Sequence, residues 1–269
     1  MREAERSGHV VDGAVLTELT KWVAESGDGK TGVKRPAAAP KALNAKAIHF
    51  ALALGAESAP DTISQDAVSQ KGLKLLLKTV EGDQTENGSW VAWPETRPPL
   101  FGTSHESMTA LAMLAVLPAA AAGDASAKTI RDRGAGWLAK TKTDDDPQSV
   151  AMRLVLWRRL GRPAEEWKPL VERIQRRQNA DGGWSQAKDM SSDAWATGQA
   201  LYALAHAGIG PGEPVVARAH AFLIKTQRGD GSWPMTSRPV KPGGPGAQSL
   251  IPITSAGTAW AVIGLARSG

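Results

Sequence analysis

The stretch QNADGGWSQ, residues 178–186, decides the fold. It sets Gln178, Gly182 and Trp184 between two segments that both read as helix. The same spacing of Gln, three residues, Gly, one residue and Trp recurs as QTENGSW, with Gln84, Gly88 and Trp90, and as QRGDGSW, with Gln227, Gly231 and Trp233. The motif starts at 84, 178 and 227 lie 94 and then 49 residues apart, so one degenerate copy belongs in the first gap. It is found by aligning FLIKTQRGDGSW, 222–233, with WLAKTKTDDDPQ, 137–148, where Lys142, Asp146 and Gln148 replace Gln, Gly and Trp.

Working outward, each motif follows a polar-faced helical stretch: 66–79, 163–178 and 213–227. Each precedes a helix rich in small apolar residues: 104–117, 192–208 and 254–266. The first set reads as outer helices and the second as inner ones. Residues 40–55 and 146–161 add two more inner helices, and segments near 12–25 and 127–141 add the outer partners, making five hairpins. The segments 27–40 and 236–250 are Gly/Pro-rich connections. Inner helices that are Ala-rich and apolar nearly all round must be surrounded, and a closed ring of hairpins surrounds them. The expected fold is all-α, an α/α toroid or barrel of helical hairpin repeats, in one domain over 1–269. In such a ring the motif Gly permits a turn closed to other residues, while Gln and Trp bond and stack onto the neighbouring repeat.

Composition bounds the function. A chain of 269 residues, 42% hydrophobic, has enough apolar material for a sizeable core. The net charge of +5 comes from interspersed Lys, Arg, Asp and Glu, with no basic arm, so nucleic acid is not an expected partner. The absence of cysteine excludes disulfides, thiolate metal sites and cysteine nucleophiles. No metal-ligand spacing joins the five histidines, and neither metal nor cofactor is expected. No signal sequence or membrane span is visible, so a cytoplasmic location is the default expectation.

The Gln-x-x-x-Gly-x-Trp pattern resembles the QW motif of squalene-hopene and oxidosqualene cyclases, whose α/α toroid is shared with protein prenyltransferase β subunits. The resemblance covers roughly residues 40–269. It implies a ring of six hairpins, of which five are counted, the sixth preceding residue 1 in a longer parent chain. It also implies an isoprenoid or polyprenyl ligand in a central cavity, cyclisation of the isomerase class, and peripheral membrane contact as the route to such a ligand. In that family a buried carboxylic acid of an Asp-x-Asp-Asp motif, at the start of an inner helix, protonates the alkene. Here the nearest acidic run is Asp144, Asp145 and Asp146, with Asp145 the expected acid, although the order is Asp-Asp-Asp-Pro.

A competing reading of that run is helix capping: Asp146 as N-cap, Pro147 in the first turn, and the other two carboxylates favouring the helix dipole in solvent. Asp193 and Trp195 begin another inner helix, and His105 with Glu106 a third; each pair could face a cavity or serve as a cap. Trp93, Trp157, Trp195 and Trp260 are the candidates for shielding a carbocation, a contact worth about 0.5–2 kcal/mol each, or they pack the core. With three tryptophans in the motif, few aromatics remain, which weighs against polycyclisation. Two other functions stay open: a non-catalytic toroid binding an apolar ligand or a protein, and a carbohydrate-acting toroid needing two opposed carboxylates.

Overall fold

The computed structural model describes residues 8, 10, 12–26, 67–91, 104–238 and 250–269. The proposed inner helix 40–55 and Trp93 lie outside the described residues. Nine helices are described: α1 (Gly13–Ser26), α2 (Ala67–Gly82), α3 (His105–Ala121), α4 (Ala125–Lys140), α5 (Pro147–Arg159), α6 (Ala164–Arg176), α7 (Ala194–His206), α8 (Pro214–Thr226) and α9 (Ile251–Ser268).

Two layers follow from composition. In α3 every residue from Glu106 to Val116 is buried, in α5 every residue from Gln148 to Trp157, and in α7 every residue from Ala194 to Leu201. These inner helices pack side by side in chain order: α3 on α5, α5 on α7, and α7 on α9. The outer helix α6 buries only Leu170, Val171 and Ile174, one stripe at helical spacing, and leaves its charged face in water. The alternation of outer and inner helices expected of an α/α toroid is present throughout 104–268.

The inner layer is tightest where α7 meets α9. A Cβ on Gly198 would stand 2.1 Å from the carbonyl oxygen of Trp260, and one on Gly264 would stand 2.6 Å from that of Gly198. Glycine is required there because backbone meets backbone. On its far side α9 exposes Ile251, Ser255, Ala259 and Val262. This departs from the fully surrounded helix expected of an inner member. The reason is position: among the described helices, α9 packs chiefly on α7 and more lightly on α8.

The helices begin with side-chain caps where the sequence offers them. Ser104 and Ser107 form a capping box at α3, Asp124 caps α4, Asp146 caps α5 and Asp193 caps α7. An unexpected feature is a two-residue antiparallel ladder, β1 (Trp184–Ser185) with β2 (Ser192–Asp193). It folds the loop after Trp184 back on itself and delivers Asp193 to the start of α7. The Asn179 amide donates to Ser192 Oγ at 2.8 Å, which ties the second strand to the motif turn.

Candidate active site

The motif residues form a latch, repeated in the same geometry. The indole Nε1 of Trp90, Trp184 and Trp233 donates to the carbonyl ten residues earlier, on Val80, Ile174 and Leu223, each at 2.8 Å. The backbone N–H of the same tryptophans donates to a threonine hydroxyl of the following inner helix: Thr109, Thr197 and Thr258. Each Trp therefore pins its outer helix to its inner helix. The Gln side chain reaches across repeats. Gln84 Nε2 donates to Gly88 O and to Ile130 O on α4, and Gln178 Nε2 to Gly182 O and to Val215 O on α8.

An arginine three residues after each acceptor returns the contact. Arg133 Nη2 donates to the Thr85 and Glu86 carbonyls, and Arg218 donates to Gln178 Oε1. The degenerate copy has no Gln, yet Arg173, three residues after Leu170, holds the Thr143 and Asp144 carbonyls in the same way. Sequence reading missed these arginines. The signal was present as an apolar residue, two others and Arg on α4, α6 and α8.

This register explains where the acidic run points. Asn87, Asp181 and Asp230 occupy one position of the loop, and each accepts the backbone N–H two residues on, from Ser89, Gly183 and Ser232. Asp145 stands at that position in the degenerate copy. Its side chain is 86% exposed and paired with Arg173 and Arg177. The Arg173 hydrogen bond and the Arg177 charge hold its carboxyl below the usual range, the reverse of what a proton donor requires. Asp146 is the N-cap of α5, accepting from Ser149 N at 2.9 Å, and Asp144 is exposed. The capping geometry thus accounts for the run.

His105 is exposed, whereas Glu106 beside it is buried. Glu106 Oε1 lies 2.7 Å from Arg153 Nε of α5, and Oε2 accepts the Asp144 N–H. Arg153 Nη1 also donates to Thr141 O and Thr143 Oγ1. Burial pushes the Glu106 carboxyl up, against the pull of the Asp144 N–H and Arg153. With Gln, Gly and Trp gone, the 141–146 loop is held from inside by this pair and from outside by Arg173.

Asp193 is the other buried carboxyl at an inner-helix start, 5% exposed. Oδ1 accepts the Ala196 N–H at 2.9 Å, and Oδ2 is buried without a hydrogen bond of normal geometry. Loss of water raises its pKa to about 6, although the N–H groups of Ala196 and Trp195, the Gln186 amide and the Arg238 charge all favour the ionised form. The half-buried Arg238 guanidinium lies in the field of both Asp146 and Asp193, at the starts of α5 and α7. Trp195, fully buried, follows two residues later in the first turn of α7.

The other aromatic candidates do not join it. Trp157 lies near the opposite end of α5, between Arg153 and Arg162 at 5.6 and 5.3 Å. Trp260, half-buried on α9, meets Tyr202 edge-on at 5.8 Å. A cleft of about 20 Å³ between α5, α6 and α7, lined by Val150, Ile174, Trp184 and Gln199, has room for one or two waters. Among the described residues, no group of three His, Asp or Glu side chains could hold a metal ion, and no helix is long and apolar enough to cross a membrane.

Alternating inner and outer helices latched by Gln, Gly and Trp, with a buried carboxyl at an inner-helix start, give the all-α architecture of a toroid of helical hairpins. Residues 158–269 match the family model of the squalene-hopene cyclase C-terminal domain, which supports a squalene-hopene cyclase-like terpenoid cyclase superfamily assignment. The match contains Asp193 and two of the motif copies and begins after Asp146. A comparison with curated proteins finds no match.

Proposed function

We propose that this terpenoid-cyclase-like domain binds an isoprenoid chain against the starts of its inner helices and initiates cyclisation with Asp193. The observation that carries the reading is the buried Asp193 carboxyl at the start of an inner helix, with its pKa raised to about 6 by loss of water. In the acid form, Asp193 transfers its proton to a terminal alkene carbon. The alkene π electrons form the new C–H bond, leaving a tertiary carbocation and the Asp193 carboxylate. The next alkene attacks that cation and closes a ring, and the last cation is quenched by loss of a proton to water. The indole face of Trp195 offers a quadrupole to the cation. A ligand of this class partitions into bilayers, so peripheral contact with a membrane belongs to the same proposal.

The test is incubation of the purified chain with squalene and with shorter polyprenyl substrates, with products resolved by mass. Cyclic product is expected, lost in Asp193→Asn and retained in Asp145→Asn. Turnover should be highest below about pH 6 and fall about tenfold per unit above it, since only the protonated form donates. Absence of product from every substrate, or product surviving Asp193→Asn, overturns the proposal.

A second reading, a non-catalytic toroid that binds an apolar ligand, is favoured by one observation: Asp144, Asp145 and Asp146 serve as cap and latch and do not face the interior. Thermal protection by a non-cyclisable polyprenyl alcohol, with no turnover of alkene substrates, is the outcome that selects it.

A further inference from the structure

Two segments far apart in the chain meet at Asp193. The ladder lays Trp184 opposite Asp193, and Gln186, two residues further on, is fully buried. Its Nε2 donates to the Thr236 carbonyl at 3.1 Å, and Arg238 Nη1 returns a long bond of 3.5 Å to the Gln186 carbonyl. These bonds run in opposite directions and hold residues 236–238 against the hairpin that delivers Asp193. The Arg238 guanidinium is thereby kept, half-buried, in the field of two carboxylates, Asp146 at the start of α5 and Asp193 at the start of α7. Asp146 is itself fixed, because its Oδ2 accepts both the N–H and the hydroxyl of Ser149, at 2.9 and 3.0 Å. The other charges nearest in the chain, Asp181, Lys188 and Asp189 of the motif loop and hairpin, are exposed, where water screens them.

We propose that Arg238 is a positioning residue for the Asp193 acid and that Asp146 is its counterweight: the cation favours the Asp193 carboxylate, and the Asp146 charge draws part of that influence away. The proposal rests on the reading of Asp193 as the proton donor. Arg238 touches no reacting atom in it. Burial alone favours the acid form of Asp193, yet a donor must also part with its proton, and a nearby cation stabilises the carboxylate that is left. Burial also lets that cation act without direct contact, because little water lies between to screen it. The acidic residue that replaces the motif Gly in the degenerate repeat thus acts, through Arg238, on the carboxyl that begins the next inner helix.

The experiment uses the full chain with its aspartate side-chain carboxyls labelled with carbon-13, titrated by NMR, the Asp193 signal being the one that Asp193→Asn removes. The pH profile of alkene cyclisation is recorded beside it. Wild type should titrate near pH 6. Arg238→Gln should lower the proton concentration at the midpoint at least about threefold, and Asp146→Asn, which keeps the N-cap, should raise it at least about threefold. Arg238→Lys, which keeps the charge, should stay within about twofold of wild type. The limb of each turnover profile should move with its midpoint. Opposite shifts separate a charge effect from loosened packing, which would move both variants the same way. Circular dichroism and melting confirm that each variant keeps the fold, and Asp146→Asn with Arg238→Lys supplies the test if Arg238→Gln is destabilised. Midpoints that stay in place, or that move the same way in Arg238→Gln and Asp146→Asn, overturn the inference even where cyclic product forms. Turnover limbs that stay in place while the midpoints move overturn it too. Midpoints that move as stated, with no product from any substrate, sustain the action of Arg238 on Asp193 and overturn the cyclase reading alone.

Discussion

Alanine at the three motif glycines separates the demands placed on them. Gly88, Gly182 and Gly231 all have positive φ, at 95°, 91° and 82°. A side chain in the left-handed region costs about 1–2 kcal/mol at each. Beyond that the positions differ. At Gly88 and Gly182 the added carbon would stand 2.5 Å from a backbone oxygen and 2.9 Å from its carbon, so the next outer helix must shift by several tenths of an ångström. Such overpacking adds about 1–3 kcal/mol, and a shifted helix weakens the Gln178 to Val215 bond, worth about 1 kcal/mol. Gly231→Ala should therefore cost about 1–2 kcal/mol and Gly182→Ala or Gly88→Ala about 3–5 kcal/mol. Urea unfolding followed by tryptophan fluorescence reads the difference directly. Calorimetry should show about 2–4 °C of lost Tm per kcal/mol for a domain of this size. Equal costs at all three positions would refute the reasoning, because they would mean that only the turn conformation matters and that the neighbouring helix does not press on it.

Other outcomes follow from the buried charges. Asp193, raised from 3.8 to about 6, contributes stability that is complete below the unfolded value and lost as pH rises through the folded one. Asp193→Asn keeps the cap, so its stability relative to wild type should rise by about 3 kcal/mol between pH 3.5 and 7.5; a flat difference would contradict a raised pKa. Arg153→Met leaves Glu106 buried and unpaired and should cost about 3–5 kcal/mol, with Glu106→Gln added to it recovering part in equilibrium unfolding. Asp145→Asn, in an exposed carboxylate, should leave the melting temperature unchanged within error.

The ring was readable because its signals are local and periodic. Ala-rich segments buried all round, helices with one apolar stripe, and a spaced Gln, Gly and Trp are each visible within 20 residues. The site was less so. Asp145 sits in an acidic run before an inner helix, and only the register of the loop, set by Arg173 from 28 residues away, turns it outward. Asp193 reads as a cap and is one. Its surroundings include Gln186, from the loop after β1, and Arg238, from a later loop, which no local pattern announces. Glu106 was paired in sequence with His105, yet one points to water and the other into an ion pair with α5. Contacts across repeats decide these orientations.

Arg133 and Arg173 hold the preceding loop through main-chain oxygens, those of Thr85 and Glu86 and those of Thr143 and Asp144, whereas Arg218 bonds the Gln178 side chain. A clamp that grips main-chain oxygens is blind to which side chains the loop carries. It can keep its hold while the loop exchanges Gln, Gly and Trp for Lys142, Asp146 and Gln148, so one repeat can drift in composition without releasing its neighbours. Such a segment is where a ring of this kind can acquire new surface chemistry at little cost to its architecture.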